Sequence, residues 1–415
     1  MAVLRQASAL LLAALFVSRG LFAQDAVTPR PDSIRSAVPP LIAPDQARVS
    51  LRPVDIRYVQ QAALLTPPAR SIKGLYVNAW AFASPKLRQL VRLADDTEIN
   101  AFVIDVKDDT GCILYPSTVP TAQQIGASRC ARAKDAPARL DTLAAHGIYA
   151  IARIVVAKDP LLAERKPQWS VRDRGTGGLW RDRIDIAWVD AYNDSVWIYS
   201  AQLAEEAVRL GFHEVQFDYV RFPDEPPHRL AQAIFPARRA GQTQREAVRD
   251  NITLLKKRLK PLGVPVTFDI FGLTASTTTG DLGIGQVWED FINIADVVLP
   301  MVYPSHYYRG AFGVARPNAE PYRVVRYAMR DALQRSRPHA AAAEIRPFLQ
   351  AFTLGRRLPR YTPFEIREQI RAVEELGITS WVLWNPRSVY QRDSLRPKRS
   401  VEPATRELSN AVAGR

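Results

Sequence analysis

Three aspartates stand near the ends of short, strongly apolar runs: Asp105 in AFVIDVK (Ala101–Lys107), Asp218 in EVQFDY (Glu214–Tyr219) and Asp269 in PVTFDIF (Pro265–Phe271). Carboxyl groups so placed suit hydrolysis of a glycosidic bond. In that reaction one acid protonates the leaving oxygen while a second carboxylate attacks the anomeric carbon or activates a water. Neighbouring parallel strands lie about 4.8 Å apart, so Asp218 and Asp269 at equal heights would approach the roughly 5–5.5 Å of a retaining pair. The expected roles are Asp218 as nucleophile, Asp269 as acid/base, and Asp105 as stabiliser or replacement acid. Asp105 would lie two strands from Asp218, a separation suited to inversion instead.

These runs belong to a longer alternation. Strand candidates are Gly74–Asn78, Ala101–Lys107, Tyr149–Val155, Glu214–Tyr219, Pro265–Phe271, Asp296–Tyr303, Ile345–Phe352 and Ser380–Asn385. Helical spacing occupies Pro85–Thr97, Ala138–His146, Ala191–Leu210, Glu246–Lys260, Ile284–Ile294, Pro321–Arg335 and Pro363–Leu376, several closed by a glycine just before the next strand. Near-continuous apolar strands alternating with helices imply a parallel sheet covered by helices, and eight units predict a closed (β/α)8 TIM barrel. An open doubly wound sheet is the competitor, but no glycine-rich phosphate loop follows an early strand.

Side chains two apart on a strand share a face, and an unpaired charge facing the apolar helix layer is costly. Asp105 and Lys107, Arg153, Gln216 and Asp218, and Asp269 are therefore expected inside the barrel mouth, at the C-terminal strand ends where such folds carry their sites. Asn78, Tyr303, Gln350 and Trp384 join them on the remaining strands, and Tyr219, Arg221 and His306 follow just beyond. In this reading Lys107, Arg153 and Arg221 orient hydroxyls or acidic substituents, while the aromatic groups line sugar subsites. An internal ion-pair network is the alternative use of the charges. The long excursion Lys158–Asp190, with its GTGG run, is expected to wall the cleft.

The 415-residue chain carries 56 Lys and Arg against 42 Asp and Glu, and 47% of it is hydrophobic, which excludes wholesale disorder. Its net charge of +14 favours attraction to anionic polymers or an anionic envelope surface. The basic residues are dispersed without interleaved stacking aromatics, so no nucleic-acid partner is expected. Arg5 followed by the apolar run Ala7–Val17 and Ala23 reads as a secretory signal over residues 1–23. No later stretch is long enough for a transmembrane helix. A Pro-rich leader (24–70), the barrel domain (71–390) and a tail (391–415) complete the expected organisation. Export implies an oxidising compartment, periplasmic or extracellular, in which Cys112 and Cys130 would pair. The five scattered histidines include no metal-binding motif, and carboxyl chemistry requires no cofactor.

The run GFHEVQFDYVRFPDEP (Gly211–Pro226) resembles the FDYVRFP signature of a bacterial glycoside hydrolase family of unassigned substrate. KGLYVNAW (Lys73–Trp80), INAFVIDVKDDTG (Ile99–Gly111), GIYAIARIVVAKDPLLA (Gly147–Ala163), AWVDAYNDSVWIY (Ala187–Tyr199), FDIFGL (Phe268–Leu273), IGQVWED (Ile284–Asp290) and LPMVYPSHY (Leu299–Tyr307) resemble further blocks of it, in the same order. The likeness spans Ser71 to Asn385 and implies a (β/α)8 barrel and glycosidic hydrolysis. The family is distantly similar to α-amylase-type barrels, which place an Asp at the position of Asp218. This chain departs from those barrels in having Arg221 after that Asp instead of an Arg before it, and Asp269 where they commonly have Glu. The expectation is thus an exported glycoside hydrolase acting on a polysaccharide or oligosaccharide. The contrasting reading is a non-catalytic carbohydrate-binding or envelope scaffold protein on the same barrel.

Overall fold

The computed structural model describes residues 71–339, 342–355 and 359–398. The expected signal and leader, and the tail beyond 398, lie outside the described residues. Eight strands form one closed parallel barrel: β1 (Lys73–Val77), β2 (Ala101–Lys107), β3 (Tyr149–Val155), β4 (Glu214–Asp218), β5 (Val266–Phe271), β6 (Val297–Val302), β7 (Phe348–Gln350) and β8 (Trp381–Trp384). Closure comes from β8, which pairs with β1 through Lys73↔Trp381 and with β7 through Leu349↔Leu383. The seventh strand is split. Glu344–Ile345 pairs with the start of β6, and after Arg346 and Pro347 β7 pairs with its end.

The main helices between strands are α1 (Lys86–Asp96), α2 (Ala136–Ala145), α3 (Asp194–Leu210), α4 (Gln244–Leu259), α5 (Trp288–Ile294), α6 (Pro321–Ser336) and α7 (Pro363–Glu374), with shorter ones in the loops. Their starts carry local signals. Thr243 and Thr362 form capping boxes with Glu246 and Glu365, each side chain satisfying a backbone N–H of the other residue. Gly211 ends α3 in the left-handed conformation. None of the described helices is long and apolar enough to cross a membrane.

Two apolar layers follow from strand alternation. The larger lies between strands and helices, with Phe102, Ile104, Ile154, Phe217, Phe268 and Trp381 facing outward. The smaller fills the barrel with Tyr76, Val103, Ile151, Leu299, Phe348 and Val382. At the N-terminal end of the barrel Arg346 meets Glu214 at 2.8 Å, both buried. At the C-terminal end the loops thicken. The excursion after β3 contains the short helix Pro160–Arg165 and a two-residue strand, Arg172–Asp173, paired antiparallel with Ala233–Ile234 of the β4 loop. Cys112 and Cys130 form a disulfide in the β2 loop. After β5 the chain turns at Gly272, where a Cβ would lie 2.5 Å from the Met301 carbonyl oxygen of β6, so only glycine permits that approach.

Candidate active site

Inward alternation brings Asp105 of β2, Arg153 of β3, Asp218 of β4 and Asp269 of β5 to the C-terminal mouth, and their register makes Asp105 and Arg153 direct neighbours. Arg153 is the hub. Its Nη1 donates to Asp105 Oδ1 at 2.5 Å, and its Nη2 and Nε donate to Asp218 Oδ2 at 2.5 and 3.1 Å. The same Nε lies 3.7 Å from Asp269 Oδ2. A planar guanidinium suits this task, because its donors diverge in one plane and hold several carboxylates at set angles.

The three acids are not equivalent. Asp218 accepts the Tyr219 backbone N–H at 2.6 Å as well as both Arg153 donors, so its two oxygens face positive or donating groups. Asp269 is 1% exposed and takes one hydrogen bond, from Gln216 Nε2 at 3.0 Å, while its Oδ1 has no partner among the described residues. Burial, and then the charge of Asp218, raise the Asp269 pKa well above the usual carboxyl range despite Arg153. Asp105 is pushed up to about 6, chiefly by burial, with Arg153 and the Tyr76 hydroxyl opposing the shift. Asp218 is thus the acid held by donors on both oxygens, while Asp269, with one oxygen unpartnered among the described residues, favours its proton. That is the division of labour an acid and a nucleophile require.

Tyr76 was not among the residues expected here. It donates to Asp105, and its ring stacks on Trp384 at 3.7 Å between centroids, with the Arg153 guanidinium 5.1 Å from the Trp384 ring. The signal was present, since Tyr76 shares strand parity with Asn78. Tyr303 lies across the barrel, its buried hydroxyl unpartnered among the described residues, with its ring edge-on to His306 at 5.3 Å. His306 meets Ser305 Oγ at 2.9 Å, and desolvation lowers its pKa to about 4, so the ring is neutral at ordinary pH. Tyr219 and Arg221 rise over the β4 end, the guanidinium 4.7 Å from the Tyr219 ring.

Three expected mouth residues serve other ends. Lys107 does not face the mouth. A β-bulge between Asp105 and Lys107 breaks the alternation, and the ammonium instead pairs with Asp159 at 2.5 Å, fully buried beside the Tyr199 ring of α3. Asn78 caps the short helix Ala79–Ala83 by accepting the Ala81 N–H, and it donates to the Pro386 carbonyl. Gln350 is fully buried and braces backbone, accepting from Ser305 N and donating to Phe352 O. Among the described residues no three His, Cys, Asp or Glu side chains form a metal-binding group. Cavities of about 300 and 290 Å³ lie beside the disulfide and beside Tyr192, away from the Arg153 cluster.

No curated protein matches the sequence. Among solved structures, the glycoside hydrolase domain of PgaB (BpsB) from Bordetella bronchiseptica is 16% identical, covers 80% of this chain and 100% of its own, and has a TM-score of 0.53, a likeness of fold. A hypothetical protein from Ruminiclostridium thermocellum is 36% identical over 47% of this chain and 96% of its own, with a TM-score of 0.42. The glycoside hydrolase domain of PelA from Pseudomonas aeruginosa is 15% identical over 77% of this chain and 96% of its own, with a TM-score of 0.43. Residues 74–390, more than half of the chain, match the family described as "Putative glycosyl hydrolase domain", and the chain belongs to that glycoside hydrolase family.

Proposed function

We propose that this protein is an exported glycoside hydrolase that cleaves a polysaccharide by two-carboxylate chemistry, in the periplasm or outside the cell. Asp218 acts as the nucleophile and Asp269 as the acid/base, with Asp105 stabilising charge through Arg153. The observation that carries this reading is the asymmetry Arg153 imposes: it donates two hydrogen bonds to Asp218 but only approaches Asp269, whose Oδ1 is left unpartnered. A proton on Asp269 belongs on that Oδ1, because Oδ2 already accepts from Gln216. The acid can then donate to a glycosidic oxygen while Asp218 approaches the anomeric carbon. Tyr76 and Trp384 supply an aromatic wall beside the carboxylates, and Tyr303 and His306 a polar one opposite.

The test is reducing-end release from purified bacterial polysaccharides by the oxidised protein, beside the Asp218→Asn variant at equal concentration. Release that disappears in the variant supports hydrolysis at this site, and the anomer of the first product distinguishes retention from inversion. Binding without release by both proteins would favour the scaffold reading.

A further inference from the structure

Five lysine or arginine residues are buried among the described residues: Lys107, Arg153, Lys158, Arg221 and Arg346. Four meet an acid. Lys107 pairs with Asp159, Arg153 with Asp105 and Asp218, Lys158 with Asp109 at 2.8 Å, and Arg346 with Glu214. Arg221, 8% exposed, has no ionic partner among the described residues. Its hydrogen bond is from Nη1 to the Phe222 carbonyl at 3.0 Å. The guanidinium instead lies 4.6 Å from the Phe271 ring, 4.7 Å from Tyr219 and 5.3 Å from Trp188. Aromatic faces attract a cation without neutralising it, and they leave its remaining donors unused. A buried guanidinium without a counter-charge is costly unless an anion completes it.

Its place says what that anion belongs to. Phe271 follows Asp269 by two residues on β5 and shares its inward parity, so a guanidinium over that ring sits at the mouth above the acid. The chain reaches Arg221 through Tyr219, which has a φ of +53°, a conformation rarely adopted by a bulky side chain, directly after Asp218. Strain of that kind persists where the surroundings require it and is frequent at binding sites.

We propose that Arg221 is a subsite for the carboxylate of a hexuronate residue, so that the substrate is an acidic polysaccharide. This rests on the hydrolase reading given above. The planar fork of the guanidinium matches a carboxylate in two parallel hydrogen bonds, and the three rings offer apolar surface to a sugar ring.

The experiment uses polygalacturonate, alginate and hyaluronate, each beside a carboxyl-reduced counterpart in which every uronate has become the neutral hexose. On a cleaved polymer, kcat/KM is expected to fall about 10- to 100-fold on carboxyl reduction, mainly through KM, as for loss of a charged hydrogen-bonded pair. Arg221→Gln should erase that ratio and Arg221→Lys retain part of it, with thermal unfolding confirming that each variant is folded. If Arg221→Gln does not fold, the wild-type ratio and Arg221→Lys carry the test. Equal turnover of native and reduced polymers, or a preference that survives in Arg221→Gln, overturns the subsite while the hydrolase reading stands. No release, but calorimetric binding of uronate oligomers that Arg221→Gln abolishes, supports the subsite and counts against the hydrolase. Neither release nor uronate binding overturns the subsite.

Discussion

Asp218 and Asp269 face one nitrogen, the Nε of Arg153, at 3.1 and 3.7 Å, on strands that are neighbours in the barrel. Arg153 donates twice to Asp218 and only approaches Asp269, so two chemically identical side chains differ in their hydrogen bonding. Replacing Asp269 with Asn should therefore lower kcat by about 10² to 10⁴-fold, the usual worth of a positioned acid. Asp218→Asn should cost at least as much. The distinguishing measurement is azide rescue with an activated aryl glycoside of the substrate sugar: with Asp218 as the proposed nucleophile, azide should restore turnover in the Asp269 variant and give a glycosyl azide of retained configuration. A retained glycosyl azide from the Asp218 variant and an inverted one from the Asp269 variant would reverse these assignments, and rescue in neither would remove them.

The pH dependence follows from the same asymmetry. With Asp269 as the proposed acid, whose pKa burial and Asp218 raise, kcat should fall on the alkaline side as its proton is lost. The Asp269→Asn variant should lack this limb. A wild-type profile flat to alkaline pH would assign the acid elsewhere.

Asp105 makes a separate prediction about stability. Its folded pKa of about 6 exceeds the ordinary value of 3.8, so between those values the folded state holds a proton that the unfolded chain has released. Stability from this group is complete below the unfolded pKa and declines as pH rises toward 6, by on the order of 3 kcal/mol. Urea unfolding of wild type and Asp105→Asn at pH 4 and pH 7 measures it. The difference between the two proteins should move by about that amount in favour of the variant at the higher pH.

Lys107 should behave as a packing element. Lys107→Met leaves Asp159 buried without its cation, at an expected cost of about 3–5 kcal/mol. Adding Asp159→Asn, which keeps an acceptor for the Leu162 N–H, should recover most of that loss with KM unchanged. A raised KM in the stable double variant would return Lys107 to the substrate.

Reduction of the Cys112–Cys130 disulfide, which closes 18 residues of the β2 loop, should cost roughly 3 kcal/mol and lower Tm by roughly 4 °C. Calorimetry with and without reductant checks it, and the Cys112→Ala/Cys130→Ala variant should match the reduced protein.

The barrel was legible because its signal is redundant. The strands at Ala101–Lys107 and Tyr149–Val155 occur where the apolar runs place them, and α3 ends at Gly211 as the glycine rule expects. The sixth and seventh strands are shorter than the apolar runs suggest, since Pro347 interrupts the ladder and Tyr303 already turns into the following loop. Parity placed Asp105, Arg153, Gln216, Asp218 and Asp269 together. It failed at Lys107, because a single bulge reverses the face of every residue beyond it and leaves no mark in composition.

The sequence by itself determined the (β/α)8 class and the inward face of Asp105, Arg153, Asp218 and Asp269, though not of Lys107, because periodicity and the cost of burying charge are local and additive along each strand. Only the tertiary structure decided which acids Arg153 hydrogen-bonds, that the pKa values of Asp105 and Asp269 are raised, that Tyr76 and Trp384 stack beside them, and that Arg221 lies among three rings with no ionic partner among the described residues. Most of those properties depend on angstrom-scale distances between residues far apart in the chain, for example Tyr76 to Trp384 and Arg153 to Asp218, and such distances exist only once the barrel has closed.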